Sequence, residues 1–487
     1  MKFTYLALIL FCAFARAQTV YIPAGASIQA AVDANPEGSV FQLAPGTYSM
    51  QTVAVKSGDQ IIGALDAGGN RLTTLSGAQP LTSFTRDGYG NYVALTTQTQ
   101  PGRLAGYCSP GYPRCNFPED FFYDDQPYLH SSVGGGALSP GQYYFDYPNG
   151  TIYFRPRNAG DDPAQHKVEY SRIPVAIAGT ATNVTVKNLI VEKYAVPDQF
   201  GAIGDQFAGD SWVIQNNETR FNHGAGLRVS SNGRVLDNFT HDNGQLGLGG
   251  SGGNILVEGN EIAHNNYSGT DHDFECGGMK FAATDGLTVR NNFSHDNIGP
   301  GMWSDISSIH TLYENNVIMN NSRSGIFYET SYDAVIRNNM ILSNGSMAPD
   351  DWFWNAQIQI AASQNVEAYG NIVLVDSANN GNGIMLIQQN RSSEPCVYGP
   401  CRVMNDFIHD NSIIVVGTRW HGSTGGTQDY TGLGDLFAPS SNNRFTGNQY
   451  YVTDLNSAAY WQWVNLYQTF ENFQSFGLDT SGALRPN

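Results

Sequence analysis

An all-β solenoid, a right-handed parallel β-helix, is the fold class this sequence predicts, and three observations carry it. Six segments align without gaps: NETRFN at 217, NFTHDN at 238, NEIAHN at 260, NFSHDN at 292, NVIMNN at 316 and NMILSN at 339. Their starts lie 21, 22, 32, 24 and 23 residues apart. A short apolar run (WVIQN, RVLDN, ILVEGN, LTVRN, TLYEN, AVIRN) leads into each first Asn. A period of about two dozen with short strands makes each unit one coil, and stacked coils lie ~4.8 Å apart. The repeated Asn reads as structural: Asn tolerates a left-handed turn, and stacked amides bond along the stack. Leucine-rich repeats share the period, but their L-x-x-L-x-L spacing is absent.

The elements follow in order. Residues 1–17 read as a secretory signal peptide, with Lys2, an apolar run from Tyr5 to Ala13, and an Ala15-Arg16-Ala17 cleavage site. Over 18–80, SIQAAVDANPEGSVFQLAPGTY predicts a short amphipathic helix, a turn and a strand, placed where the first coils of a solenoid need a cap. Residues 81–170 break the rhythm with aromatic, turn-rich sequence such as GQYYFDYPNGTIYFRPRNAGDDP, and read as an inserted β subdomain. The solenoid proper spans 171–450, with weaker ladder relatives at Asn188, Asn371, Asn411 and Asn448. Residues 451–487 form a C-terminal cap, in which WQWVNLYQTFENFQSFGL has helical periodicity. Such caps hide the open strand edges of a solenoid. The two 32-residue steps mark insertions at Ser268–Cys276 and Ser346–Trp354, where groove walls are expected.

The chain carries 43 acidic against 25 basic residues, a formal charge of −18, and signal removal deepens that by the two charges of Lys2 and Arg16. So acidic a surface disfavours nucleic acid and anionic membrane as partners. A secreted or periplasmic protein permits disulfides, and Cys108 with Cys115 and Cys396 with Cys401 are each spaced for a small loop. Cys276 is left over and reads as a buried free thiol.

Counting thirteen residues on from the ladder places two acids in one column: Asn292 leads to Asp305, and Asn316 to Glu329. The same column takes Ser230, Ser251 and Ala282 on earlier coils. Strand alternation then sorts the faces. Leu227, Leu248, Met279, Met302 and Ile326 face the core, and Arg228, Gly249, Lys280, Trp303 and Phe327 face out, with the acids on the same outer side. Two carboxylates one coil apart, ~5 Å, disfavour joint ionisation and titrate as a pair. That is a costly structural device, but it matches the ~5–5.5 Å carboxyl separation of retaining glycosidases. A solvated pair, or one neutralised by Lys280 or a cation, is the structural alternative. Trp303 and Phe327 offer apolar surface to a sugar ring, and Lys280, Arg228, Asp273 and Glu275 complete the candidate binding set. The cluster Asp271, His272, Asp273 and Glu275 reads as a solvated wall loop, as a lining of the sugar site, or as hard oxygen ligands for Ca2+. No cofactor or metal is otherwise expected.

GMWSD at 301–305 and GIFYE at 325–329 resemble the active-site region of glycoside hydrolase family 120, the β-helical β-xylosidases, within a chain that looks like a pectin-lyase-like β-helix over most of its length. That resemblance implies an Asp nucleophile at Asp305, an acid/base at Glu329, and an oligo- or polysaccharide substrate. The residues after Asp305, ISS, depart from the bulkier ones of that family. Two other classes stay open. A polysaccharide lyase or uronate epimerase would lead with Lys280 or Arg228, and a non-catalytic surface protein would bind carbohydrate without cleaving it.

Overall fold

The structure, a computed structural model, describes residues 18–134, 136–346, 353–379, 381–391, 396–417, 423–428 and 435–487. The signal segment and the middle of the second insertion, 347–352, lie outside the described residues. Three sheets of thirteen strands wind into a right-handed parallel β-helix. Within each sheet neighbouring strands come from successive coils, so chain order and sheet order run together. The pairing is parallel up to the last strands of one sheet, where Trp461 pairs with Gln468 antiparallel.

Alternation drives the coil. Leu227, Leu248, Met279, Met302, Ile326 and Ile358 pair in register and are all fully buried in the central core. Val186, Ile214, Val235, Val257 and Val289 make an equivalent column on a second sheet. Burying each such side chain contributes ~1.5–3 kcal/mol, and β-branched residues suit the pleat.

Two asparagine ladders bind the coils together. In the first, the backbone N–H and Nδ2 of Asn217 both donate to Asn238 Oδ1, at 2.9 and 3.1 Å. The pattern repeats through Asn260, Asn292, Asn316, Asn339, Asn371, Asn411 and Asn448. A second ladder five residues on runs Asn222, Asn243, Asn265, Asn297, Asn321, Asn344, and ends on Gln357 Oε1. The left-handed backbone does not belong to the ladder Asn, as the sequence suggested. It belongs to the residue before: Asn216, Asp237, Asn291, Asn315 and Asn338 have φ between 52° and 56°. Asn188 is one of these turn residues (φ 63°), not a ladder member. The ladder ends on Asp479, which accepts from Asn448 and from Tyr450. At a terminus an acceptor-only carboxylate suffices, because no further coil needs a donor.

The helix Ile28–Ala34, N-capped by the Ser27 hydroxyl, buries Ile28 and Val32 against the first coil. Residues 78–171 add a four-stranded and a five-stranded sheet with an aromatic core around Phe121, Tyr143 and Phe154. At the C-terminus the helical periodicity misleads. Trp461–Trp463 and Asn465–Gln468 are strands, and only Phe470–Ser475 is helical. The indoles of Trp461 and Trp463 are buried in the core, and that burial overrides the local pattern. Both small-loop disulfides are present, and Cys276 is free and buried, its thiol pushed up to about 12 by burial. So protonated a thiol is no nucleophile.

Candidate functional site

Asp305 and Glu329 each occupy the last position of a strand, Met302–Asp305 and Ile326–Glu329. These strands are direct neighbours, with Trp303 beside Phe327 and Ser304 beside Tyr328; Ala282 precedes Asp305 and Ala361 follows Glu329 in the same column. A left-handed residue follows the column position on each coil: Ala283 (φ 51°), inside the strand Gly277–Asp285, and Ile306 (41°), Thr330 (48°) and Ala362 (45°), where the strand ends. That conformation is costly for the β-branched Ile306 and Thr330. At Ile306 it swings the backbone N–H onto Asp305 Oδ1 at 2.8 Å.

The two acids line one cavity of about 380 Å3. Each carboxylate has its own cation, so the pair does not face itself alone. Lys280 Nζ lies 3.0 Å from Asp305 Oδ2, and Arg391 is ion-paired with Glu329. Of the two structural alternatives, neutralisation by Lys280 is thus realised for Asp305. Lys280 in turn reaches Glu275 at 3.6 Å, and Glu275 lies 3.7 Å from Arg228 and accepts from Gln199 at 3.0 Å. The result is a mostly buried line of alternating charge, Arg228, Glu275, Lys280, Asp305.

The aromatic residues divide the work differently from the sequence expectation. Lys280 sits 3.7 Å above the Trp303 ring, and Phe327 stacks on its other face at 5.2 Å and 19°. With both faces covered and only 5% exposure, Trp303 offers an edge, not a platform. Phe327, with Trp354 edge-on at 6.3 Å, provides the apolar wall.

Six of the eight expected site residues line the cavity: Asp305, Glu329, Trp303, Phe327, Lys280 and Asp273. Arg228 and Glu275 do not. Their side chains pack behind Lys280, because Gly249 leaves room in the outward column for the Arg228 guanidinium to lie along the sheet. His272, named in the sequence as part of a cluster that could line the sugar site, does line it; Arg323, Arg391, Trp354 and Gln389 also line it and were not singled out from sequence in that role. Only the second insertion signalled Trp354. Arg391 and Gln389 fall in the 40-residue step between Asn371 and Asn411, whose length is their one trace in the sequence. The first insertion is a wall of the cavity, through His272, Asp273 and Phe274. Asp271, His272 and Asp273 bring ligand atoms within 4.8 Å of one another. Glu275 is drawn away from them to Lys280.

The family model described as right handed beta helix region matches residues 202–373. No curated protein sequence matches the chain. Among solved structures, XylC, determined in complex with xylose, superposes with a TM-score of 0.67 at 15% identity, covering 95% of this chain and 83% of XylC. The A-module of the Azotobacter vinelandii mannuronan C-5 epimerase AlgE6 gives 0.53 at 13% identity, over 94% of both chains. These likenesses establish the fold. No helix among the described residues is long and apolar enough to cross a membrane.

Proposed function

We propose that the chain is an exported carbohydrate-active enzyme, and specifically a retaining glycoside hydrolase in which Asp305 is the nucleophile and Glu329 the acid/base. One observation carries this reading: two carboxylates at the same strand position of adjacent coils share a cavity with an apolar wall. Adjacent strands lie ~4.8 Å apart, close to the separation that double displacement requires. Structural neighbours that bind xylose or act on mannuronan are consistent with a sugar substrate.

In the first step an Asp305 oxygen attacks the anomeric carbon as the glycosidic C–O bond breaks, and Glu329 gives its proton to the leaving oxygen. In the second, water attacks the glycosyl–Asp305 ester while Glu329 takes the water's proton, which restores both carboxyl groups. Lys280 and the Ile306 N–H hold the two oxygens of Asp305, fixing its angle of attack. Glu329 is ion-paired with Arg391, so the leaving-group oxygen must replace Arg391 at that carboxylate before proton transfer.

The lyase or epimerase reading gives Lys280 the role of base. Its ammonium is spent on Asp305, Glu275 and the Trp303 face, which suits an anchor. A screen of aryl glycosides and polysaccharides tests the choice. Asp305→Ala and Glu329→Ala should each abolish cleavage, and azide should rescue Glu329→Ala with formation of a glycosyl azide. Wild-type turnover by both variants, or an unsaturated uronate product, would sink the hydrolase assignment.

A further inference from the structure

We infer that a second cleft, between the 78–171 β unit and the solenoid, is a glycan subsite that takes an acidic sugar by its carboxylate, with Arg114 and Arg157 as the recognising groups. The inference rests on the carbohydrate reading above.

The cleft has a volume of about 210 Å3 and is lined by both arginines, with Asp120, His223, Tyr128 and Ser268 among its other walls. The chain has 43 acids for 25 Lys and Arg, yet neither arginine has a carboxylate partner among the described residues. Each spends one N–H on a backbone carbonyl, Arg114 on Phe145 at 3.1 Å and Arg157 on Pro127 at 2.8 Å. Both guanidinium groups are held flat against rings: Arg114 over Phe117 (4.0 Å) and Tyr144 (4.9 Å), Arg157 over Tyr128 (4.8 Å). Stacking of that kind restrains the plane and leaves edge N–H groups to bind a carboxylate through two parallel bonds.

The one acid in the wall is already engaged. Asp120 Oδ2 receives the Tyr267 hydroxyl at 2.6 Å and lies 3.0 Å from His223 Nδ1. Burial opposes charge on His223, but Asp120 beside it prevails and lifts it to about 9, so His223 is protonated at neutral pH. His223 is held between Asp120 and Asp198, 3.8 Å from its Nε2, so Arg114 and Arg157 are the cations the cleft offers, inside a strongly acidic protein.

Its position links it to the first cavity. The disulfide Cys108–Cys115 closes the loop that carries Arg114. That loop is tied to the first insertion by Ser109 N–H to Gly269 O (3.0 Å) and Asp271 N–H to Tyr107 O (2.9 Å). At Gly269 (φ 79°) a Cβ would fall 2.0 Å from the Tyr112 ring, so only glycine lets the two loops approach. The same insertion gives Ser268 to this cleft and His272, Asp273 and Phe274 to the first. One glycan crossing this shared wall would meet both.

The test is equilibrium binding to the full-length Asp305→Asn protein, so that nothing is turned over. The probes are oligogalacturonides and glucuronic-acid-bearing oligosaccharides, their carboxyl-reduced counterparts, and inorganic sulfate. The acidic oligosaccharides should bind with marked salt dependence. Carboxyl reduction, and separately Arg114→Gln/Arg157→Gln, should each weaken binding at least tenfold. Arg157→Lys, an exposed position that keeps its charge and stem, should still lose several-fold and serves if the double variant does not fold. Equal binding of acidic and reduced oligosaccharides, or unchanged binding by a folded double variant, overturns the proposal. Sulfate binding as tightly as the oligosaccharides with the same arginine dependence also overturns it, in favour of a simple anion site. Failure of the hydrolase reading would leave this binding intact, and failure of the subsite would leave Asp305-dependent cleavage of neutral aryl glycosides intact.

Discussion

Replacing Asn292 by Ala removes one rung of the first ladder from the coil that carries Asp305. The Asn292 Oδ1 accepts the backbone N–H and the Nδ2 of Asn260, both at 2.9 Å. Its Nδ2 donates to Val257 O and Arg290 O at 3.0 Å and to Asn316 Oδ1 at 3.1 Å. The site is 2% exposed, so water cannot enter to replace these bonds without opening the coil. Asn260 Nδ2 keeps Val235 O and Glu258 O as acceptors, but its backbone N–H is orphaned. One orphaned buried donor costs ~1–3 kcal/mol, and each of the two N–H donors of the lost amide ~0.5–1.5 kcal/mol net, for a total of about 2–6 kcal/mol. Asn291→Ala, one residue earlier, strains only a single exposed left-handed position and should cost ~1–2 kcal/mol. A stacked solenoid need not unfold in one step, so the assay pairs chemical denaturation with hydrogen exchange of the 255–263 segment. Faster exchange at Asn260 in the Asn292 variant alone is the expected result. Equal losses for the two variants, or less than ~1 kcal/mol for Asn292→Ala, would refute the division of roles between turn residue and rung.

Phe327→Ala, which removes the apolar wall, should raise KM about tenfold with a smaller change in kcat; steady-state kinetics on an aryl glycoside reads this, and an unchanged KM would exclude the wall from ground-state binding. Lys280→Met should lower kcat by ~10^2 or more, since it frees the Asp305 carboxylate, and should also lower the melting temperature, because Asp305 and Glu275 lose a buried cation; unchanged kcat would exclude Lys280 from positioning Asp305. Burial pushes Asp198 up to about 7, and His223 sits at about 9, against 3.8 and 6.5 as ordinary values. Both folded values are raised, so each group's contribution is present at low pH and is lost as pH rises, over 3.8 to about 7 for Asp198 and 6.5 to about 9 for His223. The melting temperature should therefore fall from pH 5 to pH 9, and Asp198→Asn should flatten the part below pH 7; a melting temperature that rises over this range would contradict the assignment.

The coil and its register were legible because two strict geometries recur in the sequence. A buried amide that must both donate and accept along the stack can only be Asn or Gln at a fixed offset, and strand alternation then fixes which residues face out. Asp305 and Glu329 follow from that count. The turn residue lies one before the ladder Asn, which the identical pairs Asn216–Asn217, Asn291–Asn292, Asn315–Asn316 and Asn338–Asn339 conceal; Asp237 before Asn238 and Gly259 (φ 71°) before Asn260 are the steps where the sequence shows it. Arg391 and Gln389 escaped because they lie in a segment with no repeat to set their phase. Arg228 is on the expected outward side of the sheet and Glu275 in the expected wall loop, but where each side chain turns depends on neighbours, here the missing side chain of Gly249 and the pull of Lys280. The second cleft was invisible because Arg114 and Arg157 are brought together only by the folding of the β unit against the solenoid.

The central claim, that Asp305 forms a covalent glycosyl intermediate beside Glu329, is tested most directly by trapping. A 2-deoxy-2-fluoro glycoside with a good leaving group, chosen from the substrate screen, is incubated with the enzyme, and the protein is analysed by intact mass and peptide mapping. The account predicts one added sugar, esterified to Asp305 and absent in Asp305→Ala. A label on another carboxylate, or turnover of the parent glycoside with inversion at the anomeric carbon, would contradict it.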